Sequence, residues 1–208
     1  TMPEKTVQKE PGKKPAPSKK PKPQQEVVVQ ISLSELHPFP DHPFQVREDA
    51  SMQETAESVK EYGVLVPALA RPREDGGYEL IAGHRRKHAC ELAGLATMPV
   101  IVRDIDRDAA TIIMVDSNLQ RENILPSERA KAYKMKMEAI KRQGARTDLT
   151  SPKISAKFRS DDEVGQDAGV SGDTIRNYIA LTQLVPELQQ MVDEKKISFN
   201  PAVELSYL

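Results

Sequence analysis

The sequence predicts an α+β protein: a small mixed-sheet domain over residues 26–125, then an all-helical unit over 126–208. Three observations predict it. Short β-branched or alternating runs, with a Gly76-Gly77 turn among them, are confined to the first half. Helical apolar spacing interleaves with them there and stands alone after Pro126. Towards the C-terminal end, a short helix, a glycine turn and a capped second helix follow one another, the order of a helix-turn-helix over about 161–182.

Residues 1–25 are poor in apolar side chains and rich in Lys and Pro, so they read as a disordered tail that cannot offset its chain entropy by burial. Order starts with the β-branched run Val27 to Ile31, a strand. Pro38, Pro40 and Pro43 make Leu33 to Phe44 a loop. Met52, Ala56 and Val59 give helical spacing up to Tyr62, and Gly63 stands in the C-terminal cap position. Leu65 to Arg71 is a second strand, and the Gly76-Gly77 turn leads into a third over Tyr78 to Ala82. A helix over Arg85 to Leu92 closes at Gly94. Met98 to Val102 is a strand in which Pro99 implies an edge or a strand start. Ala109 to Leu119 and Ser127 to Arg142 are helices, the second opened by Pro126 and ended before Gly144. Residues 144–157, interrupted by Pro152, read as a hinge.

Composition narrows the classes. Hydrophobic residues make up 38% of the 208, aromatics only 4%, and Trp is absent, so the core is aliphatic. No apolar run reaches the roughly 18 residues a membrane span needs. The Lys/Pro-rich start lacks the apolar stretch of a secretory signal. The single Cys90 excludes an internal disulfide, fits a reducing cytoplasmic compartment and reads as a small core residue. The net charge of −1 leaves nucleic acid open, so any DNA binding must concentrate positive charge on one face.

Two segments carry chemistry. At Ile81-Ala82-Gly83-His84-Arg85-Arg86 a glycine and two arginines stand where a strand meets a helix. The free N–H groups of a helix start favour an anion. Gly83 lets backbone approach a ligand, and Arg85 and Arg86 offer planar forks to phosphate oxygens. The bland alternative is a pair of surface arginines neutralised by neighbours such as Glu91. His84 and His88 share a helix face but lack further ligands for zinc. The second segment, Asp116 to Asn123, is dense in hydrogen-bonding groups directly after apolar Ile112 to Val115. Asn118 could meet phosphate or a metal–phosphate unit and Arg121 could neutralise charge; an ordinary solvated helix end is the plain alternative.

The helix-turn-helix is read from Val164 to Ala168, the Gly169-Val170 turn, and a helix capped by Ser171 with Thr174, Ile175, Ile179 and Leu181 in register. Such a second helix enters the major groove, which puts Ser171, Gly172, Asp173, Thr174, Arg176 and Asn177 at the DNA. Arg176 suits guanine and Asn177 adenine. Lys131, Lys134, Lys136, Lys141, Arg142, Arg146, Lys153, Lys157 and Arg159 would neutralise the phosphate backbone.

The joint order Ser58, Gly63-Val64-Leu65, Pro67, Gly83-His84-Arg85-Arg86, Ala93-Gly94, Met98-Pro99-Val100, Asn118 to Asn123, Pro126, Glu128 and Ala130 resembles the ParB/Spo0J/Noc family of partition proteins, from about Ile31 onwards. The resemblance implies a ParB/sulfiredoxin-like fold, CTP binding with Mg2+ in the N-terminal domain, loading onto a specific double-stranded DNA site, homodimeric clamp closure and a ParA-type ATPase partner, with plasmid, chromosome or mobile-element segregation as the setting. By position it implies nucleotide contacts at Gln45, Gly63, Val64, Leu65, Gly83, His84, Arg85, Arg86, Asn118, Gln120 and Arg121, with Asn118 near the metal. His84 and Ser117 replace two family glutamates, so binding is expected with little or no hydrolysis. Family members continue into a C-terminal dimerisation domain, so a chain stopping at Leu208 reads as a truncated form. The competing readings are a helix-turn-helix regulator or nucleoid-occlusion-type protein without hydrolysis, and an enzyme on the same fold. Sulfiredoxin-like chemistry needs a cysteine where this chain has His84.

Overall fold

The structure, a computed structural model, describes residues 26–121, 123–148 and 160–208. The expected tail and most of the expected hinge, with Lys153, Lys157 and Arg159, lie outside the described residues. Five strands form one mixed sheet in the order β1-β5-β3-β4-β2. They are β1 (Val28–Ser32), β2 (Leu36–Pro38), β3 (Ala68–Pro72), β4 (Tyr78–Ala82) and β5 (Thr97–Val102). The helices of this half are α1 (Ala50–Tyr62), α2 (His84–Leu92) and α3 (Arg107–Leu119). Beyond them come α4 (Pro126–Asp148), α5 (Ser160–Ala168), α6 (Gly172–Ala180), α7 (Pro186–Asp193) and α8 (Phe199–Leu205). Among the described residues, no helix is long and apolar enough to cross a membrane.

The period-two alternation of β4 divides the core. Leu80 joins Ala70, Met98 and Val100 under α1 and α2, where Met52, Val59, Ala89 and Cys90 are buried. Ile81 points the other way, onto Ala110, Met114 and Val115 of α3 and Ala132 of α4, with Phe39 and Phe44 closing that cluster. Cys90 is wholly buried, as its expected core role requires. Both helices before the site open on an aspartate cap. Asp49 accepts from Met52 N at 2.9 Å and Asp106 from Ala109 N at 2.8 Å.

Three elements depart from the sequence expectation. Part of the proline-rich 33–44 segment is a strand: Leu36, His37 and Pro38 pair in parallel with Tyr78, Glu79 and Leu80. Pro38 is tolerated because β2 is a sheet edge and Pro38 its last residue. Pro99 lies in β5, which is internal rather than an edge. The parallel ladder to β3 begins at Val100, one residue later, so Pro99 precedes it. Finally, α4 runs through Gly144 to Asp148 instead of ending there.

The spine of the helical half is α4. Its start is held by α7, where Asp193 accepts from Ser127 N at 2.9 Å and from Ser127 Oγ at 2.6 Å. Along its length Ala130 packs with Leu181, Leu184, Val192 and Ala202, and Tyr133 with Val164 and Ile175. Lys136, which the sequence suggested for DNA phosphate, is fully buried and ion-paired with Asp116 and Asp167. Arg142, also suggested for phosphate, is paired with Asp108.

Candidate functional site

The strand-to-helix bend at Gly83 adopts φ +112° and ψ 18°, which only glycine takes without strain. A side chain there would put Cβ 2.8 Å from Ala68 Cβ. The glycine thus lets α2 start hard against Ala68 of β3, a close approach within the protein where the sequence suggested one to a ligand. The two arginines that follow have separate tasks. Arg86 reaches back, and its Nη1 donates to Val66 O and Pro67 O, each at 2.6 Å, fastening the chain between α1 and β3. Arg85 leans outward over α1. Its Nη2 donates to Ser51 Oγ at 3.3 Å and lies 3.7 Å from Asp49.

Two clefts flank this point. One, of about 550 Å³, is lined by Gln45, Arg47, Ser51, Arg85, Gln120 and Arg121, with Phe44, Asn123 and Glu128 among its other walls. The second, of about 400 Å³, is lined by Ser51, Val59, Gly63, Val64, Leu65 and Arg86. Ser51 borders both, so they adjoin across the first turn of α1. Segments at 45, 85 and 120–121 therefore meet around the first cleft, and 63–65 with Arg86 around the second. Glu128 braces the first from α4: its carboxylate accepts from Gln45 N and Leu125 N, both at 3.1 Å. With Arg47, Arg85 and Arg121 facing Asp49 and Glu128, the rim has one more cation than carboxylate. A similar-sized cleft beside α3 and α4 instead mixes Arg107 and Arg142 with Asp108 and Glu138.

Gly83, His84 and Asn118 line neither cleft. Asn118 is buried and its Nδ2 donates to Met114 O of its own helix at 2.8 Å. Among the described residues no cluster of three or more His, Cys, Asp or Glu side chains could hold a metal. The Asn118 amide nitrogen is turned back onto its own helix. His84 packs against His42, with ring centroids 4.0 Å apart and the planes tilted by 47°. Burial, then the neighbouring His42, Arg121 and Lys87, push the His84 pKa down to about 3. Burial also lowers His42, partly opposed by its hydrogen bond to Phe44 O. Both rings are thus neutral at pH 7, and the buried Nε2 of each has no protein partner among the described residues. Neither His42 nor Ser51 stood out in the sequence, because a histidine between prolines and a serine one residue into a helix carry no distinguishing pattern.

In the helical half, α5 and α6 are joined by a tight turn at Gly169, where Gly169 N donates to Gln166 O and Val170 N to Gly165 O. Ser171 caps α6, its Oγ accepting from Thr174 N at 3.2 Å. Two glycines allow the helices to cross closely. A side chain on Gly165 would meet Val170 O at 2.6 Å, and one on Gly172 would run into the Asp162 carboxylate. Gly172 is consequently buried against α5, not presented outwards as the sequence suggested. Ile175 is buried against Val164 and Tyr133. Asp173 and Arg176 are exposed on α6, with Thr174 and Asn177 partly so. Arg176 is ion-paired with Asp161 of α5 and Asp173 of its own helix.

Comparison with known proteins places this architecture. Residues 17–119 match the family model of the ParB N-terminal domain. The chain is 35% identical to the chromosome-partitioning protein Spo0J of Thermus thermophilus, over 87% of this chain and 60% of that protein. It is 32% identical to stage 0 sporulation protein J of Bacillus subtilis, over 84% of this chain and 55% of the relative. The chain thus spans little more than half the length of these relatives. Among solved structures, the C-terminally truncated ParB of Caulobacter crescentus complexed to the centromeric parS site aligns with TM-score 0.56 and 26% identity, over 86% of this chain and 84% of that one. A mixed sheet with α1 to α3, helices following it, and these relatives together make the chain a member of the ParB/Spo0J family of partition proteins.

Proposed function

We propose that the chain is a site-specific DNA-binding partition protein, a CTP-gated clamp whose reader is α6 and whose switch is the arginine-lined cleft at the start of α2. One observation carries the reading: Gln45, Arg85, Gln120 and Arg121, far apart in sequence, line a single cleft on the molecule that also carries a capped helix-turn-helix. Arg85 and Arg121 are the groups to meet phosphate oxygens, assisted by the positive end of α2. The adjoining cleft at Gly63, Val64 and Leu65 would take the base and sugar. The structural relative solved on parS supports duplex DNA as the partner of the helical half. Homodimer formation, a ParA-type ATPase partner and a nucleoid-associated, cytoplasmic location follow from the same family reading.

Hydrolysis is expected to be slow or absent. The neutral, half-buried His84 stands where the family carries a glutamate, and a ring whose pKa is pushed to about 3 is a poor proton acceptor at neutral pH. Titration with CTP, ATP, GTP and UTP, each with and without magnesium, tests the switch, alongside phosphate release and selection of a preferred DNA site. Saturable binding of CTP over the other three supports it. A selected DNA site with no nucleotide binding in any condition would leave a plain helix-turn-helix regulator, a reading favoured by the use of Arg86 as a tie to backbone carbonyls.

A further inference from the structure

We propose that Lys136 is a positioning residue that fixes the first helix of the DNA-reading motif against the end of α3, so that a ligand held at Gln120 and Arg121 alters how α6 is presented to DNA. The relay rests on the nucleotide and DNA reading above; the positioning does not. Lys136 is fully buried in α4. Its Nζ donates to Asp116 Oδ1 of α3 at 2.7 Å and to Asp167 Oδ2 of α5 at 3.0 Å, so one ammonium ties three helices. Burial alone would lower its pKa, but the hydrogen bonds to Asp116 and Asp167 and their negative charges together outweigh burial and raise it. A buried ion pair is poor evidence for stability as such, since an apolar residue of similar volume often does as well; its better-attested use is to enforce one arrangement.

Position gives the arrangement its consequence. Asp116 lies four residues before Gln120, the residue that caps the end of α3, and Gln120 lines the arginine cleft. Asp167 lies two residues before Gly169, the turn that launches α6. Between α3 and α5 lies a cleft of about 530 Å³, lined by Asp116, Gln120, Tyr133 and Asp167 among others. The helices are thus separated by open space beside the lysine bridge. A shift of the last turn of α3 acts on Asp116, through Lys136 on Asp167, and from there on α6.

The test compares wild type with Lys136→Met, an apolar residue of similar reach. Hydrogen–deuterium exchange reads α5 directly, and fluorescence anisotropy with the selected DNA site, with and without CTP, reads the relay. Lys136→Met is expected to melt cooperatively, to exchange its α5 amides about tenfold faster, and to bind CTP and DNA separately much as wild type does. The change in DNA affinity caused by CTP should shrink towards none. If Lys136→Met does not fold, Asp167→Asn, which leaves Lys136 its Asp116 partner, is measured in its place with the same expectation. Unchanged α5 exchange overturns the positioning role. A CTP effect kept in full despite loosened α5 overturns the relay. If wild type binds no CTP, the nucleotide reading and the relay fall together, and exchange alone decides whether Lys136 positions α5.

Discussion

Replacing Gly83 by alanine should damage both the fold and the cleft. The residue sits at φ +112°, and a left-handed conformation costs an L-residue roughly 1–2 kcal/mol. The new methyl would lie 2.8 Å from Ala68 Cβ and 3.3 Å from Ala68 Cα, against a wholly buried residue of β3. Overpacking of that kind costs about 1–3 kcal/mol. Alanine also restricts the unfolded chain, which returns roughly 0.4–1 kcal/mol. The expected net loss is about 2–4 kcal/mol, a large share of the stability of an ordinary domain. Urea unfolding followed by circular dichroism should show a lower midpoint at unchanged slope. The cause can be isolated with Ala68→Gly. The double variant should be less destabilised than the sum of the two singles, by the overpacking component of about 1–3 kcal/mol, while the dihedral component persists. A Gly83→Ala protein within about 0.5 kcal/mol of wild type would refute the argument, as would strict additivity of the two changes.

Other outcomes follow from the same geometry. Arg121→Ala should weaken CTP binding by tenfold to about a hundredfold in calorimetric titration, the worth of one charged hydrogen bond, while leaving the melting temperature nearly unchanged. Arg176→Ala should cost about 1–3 kcal/mol on the preferred DNA site in anisotropy measurements; a uniform loss across unrelated sequences would instead identify a phosphate contact. Stability should also depend on acid through His84. Its folded pKa, about 3, lies below the ordinary value of 6.5, so from pH 6.5 downward the unfolded chain binds a proton that the folded chain refuses. The stabilisation is complete above pH 6.5 and is lost as pH falls towards 3, by at most about 1.4 kcal/mol per pH unit for this group. Denaturation midpoints at pH 7, 6.5, 6 and 5.5, above the range of most carboxylates, should fall in wild type and fall less steeply in His84→Gln, where His42, lowered by burial as well, supplies the remaining slope; equal slopes would rule His84 out.

Elements set by local pattern were legible in the sequence. The capped helices α1 and α6, the Gly76-Gly77 turn and the alternation of β4 all follow from residues within one or two turns of each other. Features that depend on distant partners were not. β2 forms because Tyr78 to Leu80 offers a free edge, which the prolines of 36–43 do not announce. Helix α4 carries Gly144 without breaking, since one glycine costs only about 1 kcal/mol and does not dictate a helix end. At the site, the meeting of Gln45 with Arg85 and Arg121 could be anticipated only through family resemblance, because the contact is made by chain folding. Lys136 misled for the same reason, and the ties of Arg86 were hidden in the same way. A cation in a basic stretch reads as free until its partners, the carbonyls at 66–67 or the carboxylates at 116 and 167, are known. The packing of His42 against His84 has no sequence signature.

Helix α4 belongs to two interiors at once. Ala132 fills the cluster around Ile81 and Met114, while Ala130 and Tyr133 serve the clusters of the helical half. Glu128, in its first turn, holds the backbone of Gln45 on the other side. Cutting the chain ahead of Pro126 would therefore not release two self-sufficient pieces. The sheet fragment would lose the lid over Phe44 and Met114 and expose greasy surface, and its arginine cleft would lose a wall. Any dissection of nucleotide chemistry from DNA recognition has to keep α4 on the sheet-containing fragment.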